Sequence, residues 1–206
     1  MKRLLSIILI LTVFASLISC GEKDRDYDEY EVKTAAETLI KKSKALNDVY
    51  WGRGIGYYED NNYADGYYLP ADPVSLYELG FETVDQLKEK TEKVFSKNYC
   101  DAIFDSSFVT DADAGTAVRK RYYQGIDCIM VYSKAIAFLT DKVTYFYDTL
   151  EVTGSSGETV FVKIKVRVER GELSQEREIE IGLVEEEDGW RIDTPTYITY
   201  YEEPTE

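Results

Sequence analysis

The sequence contains no histidine. Ser-His-Asp and Cys-His nucleophile systems need an imidazole base and histidine zinc sites need an imidazole ligand, so this absence removes both classes. Cysteine is scarce, with only Cys20, Cys100 and Cys128. That is too few thiols for a four-thiolate metal site or a disulfide framework. Cys100 and Cys128 fall at positions that read as core-facing, where either a bridge or two buried thiols would fit. Basic charge is also short: 24 Lys and Arg against 39 Asp and Glu leave a net charge of -15. Such a balance repels phosphate backbones, which argues against nucleic acid as a partner. Internal repeats are absent.

Acids are plentiful, so carboxylate chemistry is open in principle, but in such numbers a given pair reads first as a solvated surface pair. Asp111 and Asp113 alternate ahead of Gly115, and residues 60–66 have a similar texture. Neither stretch keeps the EF-hand spacing or its closing Glu, and both read as turns. No cofactor and no metal are expected.

The one long apolar run lies at the N-terminus. Lys2 and Arg3 precede residues 4–17, and Leu17-Ile18-Ser19-Cys20-Gly21 follows. This is the order of a signal peptide, and the run is shorter than the ~20 residues a bilayer-spanning helix needs. The Leu-x-Ser-Cys-Gly stretch resembles the lipobox read by lipoprotein signal peptidase. The resemblance implies a signal over residues 1–19 and acylation of Cys20, with membrane attachment through that lipid. An extracytoplasmic, membrane-anchored lipoprotein is the expected setting. Residues 20–31 are nearly all charged or Tyr and read as a solvated tether, leaving residues 32–206 as a single domain.

Within that domain Val32, Ala35, Ala36, Leu39, Ser43, Leu46 and Tyr50 recur at helical spacing, which predicts an amphipathic helix to about Tyr50. Alternate glycines at 52, 54 and 56, then a polar tract to Pro73, predict a long loop with room for a short hairpin. Thr83-Val84-Asp85-Gln86 fits a capping box for a second helix, and Ser96 can cap a third. From Val118 the period changes to two, with a turn at 154–157. The clearest strand alternates Val160, Val162, Ile164, Val166 and Val168 with a polar set. Ile179, Ile181 and Leu183 repeat the pattern, and Trp190-Arg191-Ile192-Asp193 begins a last strand carrying an Arg191–Asp193 pair. Helices followed by hairpin-linked strands predict an α+β fold, with N-terminal helices packed on a curved antiparallel sheet in an order resembling the NTF2-like or cystatin-like arrangement.

Tyrosine is the abundant residue. Tyr50, Trp51, Tyr57, Tyr58, Tyr63, Tyr67, Tyr68 and Tyr77 crowd one Gly-interrupted stretch. Such rings either form a recognition surface, able also to stack on sugars, or close the open end of the core. Tyr50 and Trp51 are assigned to the core. Arg53, Tyr57, Tyr58, Tyr63, Tyr67 and Tyr68 are assigned to partner binding, because interface hot spots favour Tyr and Arg and loops present side chains without disturbing a core.

The stretch Gly80-Phe81-Glu82-Thr83-Val84-Asp85-Gln86-Leu87, with Val94-Phe95-Ser96-Lys97-Asn98-Tyr99 and Tyr67-Tyr68-Leu69-Pro70, resembles part of the secreted DL-endopeptidase inhibitors of Gram-positive bacteria. There a Tyr-x-Leu-Pro stretch precedes a helix ending in Val-Phe-Thr-Lys. The terminal Gly-Trp-Arg-Ile-Asp-Thr-Pro-Thr-Tyr resembles the end of clostridial-type lipoproteins. The first resemblance implies a non-catalytic protein that binds cell-wall hydrolases and blocks their substrate cleft. Tethering through Cys20 departs from those inhibitors, which are released. The alternative expectation is an NTF2-like pocket that takes a small molecule or a cell-wall glycan, with room for a carboxylate-dependent enzyme.

Overall fold

The computed structural model describes residues 26–58, 67–110, 113, 119–137 and 139–200. The expected signal segment, Cys20 and Tyr63 lie outside these. Helix α1 (Glu29–Tyr50) starts where Asp28, in extended conformation, accepts hydrogen bonds from the N–H groups of Tyr30 and Glu31. Glu29 and Glu31 place negative charge in the first turn, where the helix dipole favours it. The helix therefore begins three residues earlier than its apolar period suggests, and takes in the end of the segment expected to be tether. Val32, Ala36, Leu39, Ile40, Leu46 and Val49 form its buried stripe.

That stripe packs on a four-stranded antiparallel sheet of β4 (Lys142–Ser156), β5 (Thr159–Arg170), β6 (Leu173–Glu186) and β7 (Gly189–Ile192), in that spatial order. The apolar set of β5, from Val160 to Val168, is almost wholly buried, as are Ile181, Leu183 and Ile192. Each such side chain contributes roughly 1.5–3 kcal/mol relative to exposure. The β4–β5 turn is shorter than expected: Ser156 still pairs with Thr159, so only Gly157 and Glu158 turn the chain. Gly157 takes φ 58°, which a two-residue hairpin of this kind requires.

A second sheet, of β1 (Tyr68–Pro70), β2 (Tyr122–Gln124) and β3 (Ile129–Tyr132), has the order β1-β3-β2 and is antiparallel throughout. Residues 56–58 flank β1 on its other side, through the Tyr57–Ala71 bridge and bonds from Tyr58 N–H to Pro70 O (3.1 Å) and Asp72 N–H to Gly56 O (2.8 Å). The stretch expected as a loop thus supplies both arms of a hairpin. Helix α2 (Pro73–Leu79), which the periodicity did not reveal, follows at once. Asp72 caps it, Pro73 occupies its first turn, and Gly80 ends it at φ 73°. The capping residues of α3 (Val84–Glu92) and α4 (Lys97–Ser107) are Thr83 and Ser96, as expected.

The architecture is α+β, and one cluster of buried apolar residues runs through the helices and both sheets. Phe95, fully buried between α3 and α4, bridges to Ile192 of β7 and ties the helices to the large sheet. The expected Arg191–Asp193 pair is not formed. Arg191 is buried, its Nε–H donates to Glu92 O (2.8 Å), and its ion pair is with Asp188 at 2.5 Å. Asp193 instead accepts the Ser96 hydroxyl. Both described cysteines are free thiols. Cys100 is buried, which pushes its thiol up to about 12, while Cys128 is only half-buried and not a core residue as expected. Among the described residues no helix is long and apolar enough to cross a membrane.

Candidate functional site

The register of the small sheet sorts its side chains. Val131 on the central strand is the cross-strand partner of both Tyr122 and Leu69, and all three are buried. Ile129 and Ala71 share that inner face, joined by the bond from Ala71 N–H to Ile129 O. The alternate residues face outward. Pro70, Met130 and Tyr123 form one cross-strand row, which Tyr58 extends because its N–H is bound to Pro70 O. Tyr68 and Tyr132 form the next row.

These rings touch each other. Tyr68 meets Tyr123 edge-on, with centroids 4.9 Å apart, and Tyr132 at 5.3 Å. Such contacts hold aromatic side chains in fixed orientations on a sheet surface. The Tyr68 hydroxyl donates to Lys120 O at 2.7 Å. Burial between its neighbours raises the Tyr68 phenol, with the Arg119 guanidinium partly opposing. Cys128 packs its thiol 3.7 Å from the Met130 sulfur, adding a soft, polarisable edge. The outer face is thus a rigid array of Tyr58, Tyr68, Pro70, Tyr123, Met130 and Tyr132.

Of the residues expected to bind a partner, Tyr58 and Tyr68 belong to this face. Tyr58 is 57 % exposed, and Tyr67, at the adjoining strand end, is 55 % exposed. Tyr57 points the other way. It packs against the core, and its hydroxyl donates to Ser133 O (3.3 Å). Arg53 belongs to the turn after α1, where its N–H and guanidinium both engage Asp48. Tyr123, Met130 and Tyr132 were not singled out from the sequence. Their signal was the change of period after residue 118, which marks strands without showing that two distant segments place their outward residues together.

No family model and no curated protein matches this chain.

Two other features bear on chemistry. Among the described residues no three acidic or cysteine side chains are grouped so as to hold a metal ion. Asp113 closes a turn instead, accepting from Thr110 N–H (2.8 Å) and Lys120 (2.9 Å), and both contacts hold its carboxyl below the usual range. The other calcium-like stretch, 60–66, lies outside the described residues. Core residues occupy most of the space between α1 and the large sheet, leaving a cavity of about 110 Å³ at its edge beside Asn47, Asp48, Asp141 and Tyr145, and an open groove of about 650 Å³ lies between α2 and α3.

Proposed function

We propose that this chain is a non-catalytic lipoprotein, anchored outside the cytoplasm through Cys20, that binds a peptidoglycan DL-endopeptidase and restrains it. The observation that carries this reading is the outer face of the small sheet. Tyrosine, proline and methionine held in fixed geometry on a sheet offer a large contact area at low entropic cost, as hot-spot surfaces do. The resemblance of residues 67–70 and 80–99 to hydrolase inhibitors supports the choice of partner, and those segments include β1, which lies in the candidate face. An NTF2-like or cystatin-like frame remains our reading of the α+β architecture.

Less supports the alternative, a ligand cone between helix and sheet. The cavity there is only about 110 Å³, and Asp141, the acid in its wall whose side chain is almost fully buried, is already bound by both nitrogens of a fork from Arg170.

The test is capture of hydrolases from a cell-wall extract on the purified protein, with an endopeptidase assay on whatever is retained. A retained endopeptidase that is inhibited supports the reading. If none is retained, or one is retained at full activity, the hydrolase assignment fails. Mass spectrometry of the mature protein checks the anchor separately, with a diacylated or triacylated Cys20 as the expected N-terminal residue.

A further inference from the structure

Two buried arginines close helix C-termini in this fold, and they differ in one respect. Arg191 donates to Glu92 O at the end of α3 and has Asp188 as its counter-ion. Arg121 is equally buried and performs the same task for α1, which has no basic residue of its own in its last turn. Its Nη1 donates to Val49 O (2.9 Å) and Gly52 O (3.0 Å), and its Nη2 donates to Ile136 O (2.8 Å). Gly54, at φ 81°, allows this approach, since a Cβ there would stand 3.1 Å from Nη1. Backbone carbonyls and the Tyr122 hydroxyl meet the guanidinium, and among the described residues no carboxylate forms an ion pair with Arg121. Among the described residues, three of its five N–H groups donate to backbone carbonyls.

A buried positive charge with no carboxylate partner is costly and is relieved by an anion. Arg121 lines a cleft of about 390 Å³ together with Arg119, Lys120 and Lys134, while Trp51 and Ser107 supply other parts of the wall. Lys120 is paired with Asp113 and Asp105, and Arg119 and Lys134 also have partners of their own. The gathering of four cations around one cleft runs against the charge of the whole chain, -15. Such a cleft focuses a local positive field despite the acidic total.

We propose that this cleft binds an oxyanion, a carboxylate or a phosphate group, with Arg121 as the buried counter-charge and Arg119 and Lys134 as further donors. Arginine's planar fork suits either group, and the volume admits a small organic acid or phosphate ester. The site shares Tyr132 with the tyrosine face, so an anionic group on a bound molecule could reach both, but the proposal does not depend on the hydrolase reading.

Trp51 provides the readout. The full-length protein in detergent is titrated with sodium phosphate and, separately, with sodium glutarate, each at ionic strength held constant with sodium chloride. Intrinsic fluorescence and melting temperature are both followed. A saturable change with at least one anion is expected, with the fluorescence part lost in Trp51→Phe. The Arg119→Ala, Lys134→Ala double variant, which leaves the helix-closing Arg121 in place, should bind at least 10-fold more weakly. Saturation by phosphate alone, by glutarate alone or by both identifies which oxyanion the site takes. If neither anion shifts either signal beyond the chloride control, or the double variant titrates like the parent, the proposal is overturned.

Discussion

On the outer face of the four-stranded sheet, Lys163, Lys165 and Arg167 of β5 stand opposite Glu180, Glu178 and Glu176 of β6. On the outer face of the three-stranded sheet, Tyr58, Pro70, Met130 and Tyr123 stand in line with Tyr68 and Tyr132 beside them. The inner faces are alike, apolar and buried against one core. Both outer faces meet water, but a ladder of alternating charge is already well solvated and gains little from being covered. The tyrosine face holds apolar area in water, which association would bury. The contrast is why we propose the small sheet's outer face, and not the charge ladder, as the recognition surface.

The largest expected effect concerns what the inner faces share. Tyr50, Tyr122 and Tyr145 are buried and Tyr99 is half-buried, and desolvation raises each phenol above its ordinary value near 10, Tyr122 to about 12. Because the folded values lie above the unfolded one, this contribution is fully present below pH ~10 and is lost as pH rises through the folded values. Each phenol costs about 1.4 kcal/mol per pH unit in that window. Denaturant unfolding between pH 9 and 11.5 should show a steep loss of stability. If every tyrosine ionised near pH 10 with the fold intact, the burial of these rings would be wrong.

Next comes the joint between helices and large sheet. Phe95→Ala should cost about 3–5 kcal/mol and lower the melting temperature by roughly 10 °C. Loss of partner binding below that temperature would show that the two regions are less independent than the comparison holds.

The adjacent residues Tyr57 and Tyr58 give the finest test of which face is which. Tyr57→Ala should destabilise by about 1–3 kcal/mol, because the ring packs on the core and its hydroxyl holds Ser133. Tyr58→Ala and Tyr132→Ala should leave the melting temperature nearly unchanged while weakening hydrolase binding by roughly 2 kcal/mol, about 30-fold. A reversed pattern would place the recognition surface elsewhere. The smallest effect is expected on the charge ladder, where Lys165→Ala should change stability by less than about 0.5 kcal/mol and binding not at all.

Much of the fold was legible in the residues. The alternation from Val160 to Val168 marked β5, the helical spacing from Val32 marked α1, and Thr83 and Ser96 marked two helix starts, because these signals act over a few residues. Helix α2 had a local signal too, in Asp72, Pro73 and Gly80, but seven residues carry too little periodicity to outweigh the surrounding turn formers. The tyrosine cluster pointed to recognition without separating Tyr57 from Tyr58.

The sequence by itself determined the acidic balance, the absence of imidazole chemistry, the principal helices and the β5 strand, since composition and short-range periodicity need no third dimension. Only the tertiary structure decided that Tyr58 joins Tyr123, Met130 and Tyr132 on one face while Tyr57 turns inward. Only it set Arg121 against Val49 O at the end of a helix, 72 residues earlier in the chain. Strand register and helix closure are made between segments far apart in the chain, and no local preference of either segment specifies which partner it will meet.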